Sequence, residues 1–248
     1  MACVALHKLG FCASCTIANA KFLWEVFMTI NQVDILFSWI CGEDDAEYEA
    51  LKKQAASGNE EAKIELAALN VEKAENVNEN MTFLEQHAQN DSVAANLFLG
   101  VIFNEGIATN DDSQNHVVIA KDWKKSNFYL EKAIELGSLR AYLVRGLHAY
   151  LHCCCFYKHD EEDESEMIMD PPVAQDYLDG EKYLLQFISL KDDKTLDEDR
   201  KAFVYEHLKL FASWLSSLYE CENPVSPIMN QEKSLEWQKK MEEFNEYE

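Results

Sequence analysis

Four stretches of this chain superimpose without a gap, and that repetition restricts the fold more than any other feature. They are Ala50-Leu-Lys-Lys-Gln-Ala55, Phe83-Leu-Glu-Gln-His-Ala88, Tyr129-Leu-Glu-Lys-Ala-Ile134 and Tyr183-Leu-Leu-Gln-Phe-Ile188. Successive starts lie 33, 46 and 54 residues apart. Unequal spacing around a constant core means that the loops vary in length while the packing unit is kept. The first three copies continue alike: Ala55, Gly58, Ala62 and Leu66 match Ala88, Asp91, Ala95 and Leu99, then Ile134, Gly137, Ala141 and Arg145.

The pattern has a direct physical reading. Gly58 and Gly137 stand where one helix must stop, because glycine enters the left-handed C-terminal turn without strain. Asp91 does the same job at some steric cost. The alanine four residues on has only a methyl group, which lets two helices approach closely. Leu99-Gly100 with Phe103 and Gly106, and Gly146 with Ala149-Tyr150, set small and aromatic residues on one helical face. Such a hairpin leaves an apolar face that only a neighbouring hairpin covers, so the units stack.

Ala95-x3-Leu99-Gly100-x2-Phe103-x2-Gly106, followed by Lys124-Lys-Ser-Asn-Phe-Tyr-Leu-Glu-Lys-Ala133-Ile-Glu-Leu-Gly137-Ser-Leu-Arg-Ala141, resembles the Sel1-like repeat of the tetratricopeptide-like solenoids. The resemblance is best over 91–150, looser over 46–90, and thin beyond 173. Arg145 departs from it by replacing a leucine, and the loop after Gly106 is enlarged by Asn110-Asp111-Asp112. The fourth copy has Lys191 and Thr195 in place of the Gly and the Ala, as a degenerate cap would. The regular 34-residue period of tetratricopeptide repeats proper is absent. The resemblance implies an all-α, right-handed α-solenoid of stacked antiparallel helical hairpins with a divergent C-terminal helical cap. It also implies a protein-protein interaction module, an adaptor or an immunity-type inhibitor of the kinds found among bacterial members, holding its partner on a concave helical face.

Composition agrees with a helical fold. Hydrophobic residues make up 48% of the chain, with 13 Phe, 10 Tyr and 5 Trp, while only 8 Gly and 4 Pro interrupt it. Helices are expected near 19–40, 45–57, 59–73, 77–89, 91–105, 117–136, 138–157, 173–190, 196–221 and 231–246, with loops at 107–115, 158–172 and 222–230. This divides the chain into an N-terminal helical segment (1–44), the repeats (45–157), an acidic loop (158–172) and a degenerate repeat with its cap (173–248). The loop carries Asp160-Glu-Glu-Asp-Glu-Ser-Glu166 and Pro171-Pro172, which forbid a continuous helix. Trp237, Met241 and Phe244 share one stripe, so the last helix is expected to fold back as a cap.

Charge narrows the partner. The balance of 22 basic to 45 acidic residues, net −23, opposes nucleic-acid binding and anionic membranes. It serves solubility, or it steers a basic protein onto the surface. The eight cysteines include Cys153-Cys154-Cys155, which fits no evenly spaced disulfide framework and points to a reducing, cytoplasmic setting. Residues 1–27 leave other readings open. They are a mis-annotated extension ahead of Met28, or a targeting segment of a periplasmic or lipid-anchored protein, although His7 and Lys8 interrupt the apolar run. No stretch reaches the ~18–20 apolar residues of a membrane span.

Two constellations stand out. His148 and His152, four apart on one helix, with Cys153, Cys154, Cys155 and His159 nearby, form the densest group of possible metal ligands. A metal-binding protein or enzyme built there is the alternative to the interaction module. Against it, no second cluster answers the first, and no nucleophile elbow, phosphate loop or dinucleotide fingerprint occurs, so neither catalysis nor a cofactor is expected. Arg140, Arg145 and His148 interrupt an acidic chain along one helix and, with Trp123 and Tyr142, are the candidate partner-binding residues. Arg145, standing where the repeat wants leucine, lines the concave face or sits in a buried ion pair, and its core position favours the pair.

Overall fold

The computed structural model describes residues 45–111, 114–154 and 172–244. The segment 1–44, Cys155, His159 and the acidic run 160–166 lie outside these described residues. The chain divides into two compact units, Met1–Gly137 and Ser138–Glu248. The boundary falls inside the 45–157 stretch set out for the repeats.

The first unit contains α1 (Asp45–Ala56), α2 (Glu60–Glu72), α3 (Val77–Gln89) and α4 (Val93–Glu105), then a hairpin of β1 (Ile107–Asp111) and β2 (Gln114–Ile119), then α5 (Trp123–Glu135). Each helix packs on the next, and α2 also meets α4. The second unit contains α6 (Leu139–Cys154), α7 (Ala174–Ser189), a 3-10 turn at Leu190–Asp192, α8 (Glu198–Glu220) and α9 (Gln231–Phe244). Here α8 is the hub, packing on α6, α7 and α9. Apart from the two-stranded hairpin, the described architecture is all-α, built of helices packed in adjacent pairs.

The repeat is visible in the backbone. Gly58, Asp91 and Gly137 have φ of +96°, +59° and +94°, the left-handed conformation that their shared place in the repeat requires. At the first two the helix closes in the same way. Gly58 N–H donates to Ala55 C=O and Asn59 N–H to Gln54 C=O, while Asp91 N–H donates to Ala88 C=O and Ser92 N–H to His87 C=O. The very next residue caps the following helix. Asn59 Oδ1 accepts from Ala62 N–H, Ser92 Oγ from Ala95 N–H, and Ser138 Oγ from Ala141 N–H. Those three alanines are the small residues of the repeat, and all are buried. One residue pair thus ends one helix and starts another, and the third position supplies the close contact.

The second half of a hairpin docks through its smallest residues. A Cβ on Gly100 would lie 2.6 Å from the side chain of Leu130 on α5, and Ser126 Oγ donates to Gly100 C=O at 2.8 Å. In the second unit a Cβ on Gly146 would lie 2.9 Å from the ring of Trp214, and one on Gly180 would lie 2.9 Å from Ala149 Cβ. The core there is aromatic: Phe187 stacks on Phe211 at 3.7 Å between centroids, and Trp214 lies 5.2 Å from Phe211 and 6.3 Å from Tyr150. The terminal helix α9 lies on α8 through buried Ser234, which meets Ser216 at 3.0 Å, with Trp237, Met241 and Phe244 half-buried along the same stripe.

Two expectations are corrected. The loop set at 107–115 and the start of the helix set at 117–136 are instead strands, paired antiparallel from Ile107↔Ile119 to Asp111↔Gln114 with an irregularity between Ile107 and Ala108. Ile107, Thr109, Val117, Val118 and Ile119 are β-branched and stiff in a helix, and Gly106 at φ +67° has already ended α4. The helix restarts only at Asp122, whose Oδ1 accepts from Lys125 N–H. The degenerate copy also differs as its residues suggest. Without the glycine, α7 runs into the 3-10 turn, and α8 begins at a new cap, Asp197 accepting from Arg200 N–H.

Candidate functional site

The C-terminal turn of α6 gathers the residues with the most chemistry. His148 and His152 lie with ring centroids 5.7 Å apart. His152 Nε2 is 3.3 Å from Asp176 Oδ2, and the same oxygen accepts the backbone N–H of Val173 at 2.7 Å. His152 therefore ties the end of α6 to the first turn of α7, where a carboxylate also suits the helix dipole. Among the described residues no three His, Cys, Asp or Glu side chains are grouped to hold a metal ion. Cys155 and His159, the other candidates for such a site, lie outside the described residues.

One turn away the cysteines meet partners that sequence spacing did not connect with them. Cys153 is buried, and Cys154 and Cys221 are partly exposed, all three as free thiols. Tyr177 on α7 donates its hydroxyl to Cys153 C=O at 2.9 Å and lies 3.8 Å from Cys221 Sγ. As a thiol, Cys221 donates to that same carbonyl at 3.3 Å. As a thiolate it accepts from the Cys154 thiol, the largest influence on it, and from Tyr177 and the backbone N–H of Asn223. Burial and the Glu222 carboxylate oppose ionisation, yet the donors prevail and draw the Cys221 thiol down to about 6. Cys153 goes the other way, pushed up to about 12 by burial first and then by Asp176 and Cys221. Tyr177 is held well above the ordinary phenol range, chiefly by burial, and keeps its proton.

A pH dependence follows. Cys221 is a stronger acid folded than unfolded, where a thiol ionises near about 8.5. Its thiolate contributes stability that is complete above that value and is lost as pH falls through about 6. The stability gap between the native chain and Cys221→Ser is therefore expected to widen between about pH 6 and about pH 8.5. Urea midpoints across that range check it, and a gap that stays level contradicts it.

The candidate partner-binding residues are placed as follows. Trp123 opens α5 in the first unit, half-buried. In the second unit Arg140 is exposed, and Tyr142 is half-buried with its ring 5.8 Å from that of Phe187. His148 is half-buried beside His152. Arg145 is only 6% exposed, with its guanidinium 4.5 Å from the centre of the Tyr183 ring. A cation over an aromatic face explains how arginine occupies a leucine position of the repeat.

Among the described residues the most exposed large apolar side chain is an aromatic of the first unit. Phe128 on α5 is 64% exposed. It meets Tyr129 edge-on at 5.2 Å, and Tyr129 stacks on Phe103 at 5.9 Å. Lys125 Nζ lies 4.7 Å from the centre of the Phe103 ring. Val117 and Val118 of β2 are exposed in the same unit. Helical periodicity alone could have flagged Phe128, since it lies off the Leu130–Ala133 face that α5 buries.

No protein-family model matches the chain, and no curated protein matches it. Among solved structures the chain is similar to the crystal structure of a Sel1 repeat protein from Oxalobacter formigenes, with 20% identity over 85% of this chain and 83% of that one. The TM-score of that superposition is 0.31, too low to carry weight. The architecture rests on the packing described above. No described helix is long and apolar enough to cross a membrane.

Proposed function

We propose that this chain works by holding another protein rather than by catalysis, and that its partner is basic. The observation that carries the reading is Phe128. A ring 64% exposed on a well-packed helix forgoes roughly 1.5–3 kcal/mol of burial, a cost that a docking partner offsets. Aromatic anchors of this kind, backed by a rigid second layer such as Tyr129 and Phe103, dominate binding energy at protein interfaces. The net charge of −23 supports a basic partner, because opposite charge speeds encounter and rejects acidic competitors. An adaptor and an inhibitor both fit this description. Trp123 belongs with Phe128 as a contact residue of the first unit. Arg140, Tyr142 and His148 form the candidate set of the second, with Arg145 supporting that surface from beneath.

Native chain and Phe128→Ala, immobilised in parallel, are expected to differ by roughly tenfold or more in affinity for a captured basic protein. Their thermal midpoints should coincide, since an exposed ring contributes little to folding. Binding should weaken as salt rises. Equal capture by both forms, or a bound set with no basic member, would overturn the reading.

A further inference from the structure

We propose that Cys221 and Cys154 are a peroxide-sensitive thiol pair, in which a hydroperoxide oxidises Cys221 and Cys154 resolves it by closing a disulfide between the C-terminal ends of α6 and α8. The geometry sorts the three described cysteines into distinct roles. Cys153 is 2% exposed, so its thiol is shielded, while its backbone carbonyl takes the contacts from Tyr177 and Cys221. Cys221 and Cys154 are both partly exposed, and Cys221 Sγ lies 3.3 Å from the Cys153 carbonyl, the atom group that leads directly into Cys154, so both thiols sit at the same end of α6. Tyr177, whose hydroxyl donates to Cys153 C=O, lies 3.8 Å from Cys221 Sγ on the side of α7.

The same contacts make Cys221 the attacking sulfur. Donors around it favour the thiolate, the nucleophilic form, at neutral pH, whereas Cys153 stays protonated. In the first step the Cys221 thiolate attacks the terminal oxygen of the hydroperoxide. An S–O bond forms, the O–O bond breaks, and the departing alkoxide or hydroxide takes a proton from water. Cys221 is thereby oxidised by two electrons to a sulfenic acid. In the second step the Cys154 sulfur attacks the Cys221 sulfur. The S–S bond forms, the S–O bond breaks, and the hydroxyl leaves as water with the Cys154 proton. Two thiols and one hydroperoxide become one disulfide, one alcohol (water, when the oxidant is hydrogen peroxide) and one water. A disulfide here fixes the end of α6 to the end of α8, the helix that the second unit is built around.

The test uses the full chain, freshly reduced, treated with one equivalent of hydrogen peroxide, blocked with an alkylating reagent and digested. The expected product is a peptide joining residues 146–158 to the peptide that contains Cys221, lighter by about 2 Da than its two reduced parts. The three adjacent cysteines are told apart by variants: the link should survive in Cys153→Ser and Cys155→Ser and vanish in Cys154→Ser. In Cys154→Ser a dimedone adduct should appear on Cys221, because the sulfenic acid is left unresolved. This adduct is a positive signal from a variant that has lost its cross-link, so a misfolded protein cannot mimic it. A cross-link that avoids Cys221, a link that persists without Cys154, or dimedone labelling spread equally over the cysteines would each overturn the proposal.

Discussion

Trp214→Ala is expected to destabilise the second unit by about 3–5 kcal/mol, the range for removing a fully enclosed large aromatic. Trp214 is 1% exposed and stands between the Tyr150 ring, the Phe211 ring and the bare backbone of Gly146, against which its six-membered ring closes. None of these neighbours can swing in to fill the space. The Phe211 ring is stacked on Phe187, Tyr150 is itself buried, and Gly146 has no side chain to move. The cavity therefore persists and adds its cost to the lost transfer energy. Trp214→Phe separates volume from polarity. It leaves a smaller void and removes a buried indole N–H that has no hydrogen-bond partner among the described residues, so its cost should be less than half that of alanine. Because the chain has two compact units, a global unfolding midpoint is a readout that does not say which unit has lost stability. Hydrogen exchange over α6, α7 and α8 is the better one. Protection there should fall by two orders of magnitude or more in Trp214→Ala, consistent with about 3 kcal/mol, while α1 to α4 stay protected. An unchanged exchange pattern would contradict the packing described.

The second large effect belongs to the contact between α4 and α5. Leu130→Ala should cost about 2–5 kcal/mol, since Leu130 is completely buried. Gly100→Ala should also destabilise, by about 1–3 kcal/mol, because its new methyl group would fall 2.6 Å from Leu130 Cγ and Cδ2. The informative result is their combination. In the double variant the alanine methyl enters space that Leu130 has left, so the total should be smaller than the sum by about 1 kcal/mol or more. Strict additivity of the two urea-derived values would mean that the helices do not meet through this pair.

How much of this was legible beforehand depends on the range of the interaction concerned. The places where helices stop were readable, because Gly58, Asp91 and Gly137 act within about five residues of themselves, whereas the caps Asn59, Ser92 and Ser138 emerged with the structure. The hairpin at 107–119 was missed although its β-branched residues were in view, since 107–115 was read as a loop and the next helix was started at 117. Residue type alone does not mark Phe128 as exposed, whereas its angular position on α5 sets it outside the buried face. Arg145 was recognised as anomalous, but the Tyr183 ring beneath its guanidinium lies on another helix.

The thiol pair marks the boundary most clearly. The cysteine triplet was conspicuous in the sequence, and its histidine neighbours suggested metal ligation. Cys221 lies 68 residues from Cys153 and Tyr177 lies 24 away, with no spacing rule to join them. Sequence by itself determined the helical class, the repeat, the helix stops and the acidic charge, because each is local or additive along the chain. Tertiary structure alone decided which thiols come together, which aromatic is left in water and which ring lies against the buried Arg145, because each depends on how the faces of separate helices are brought together.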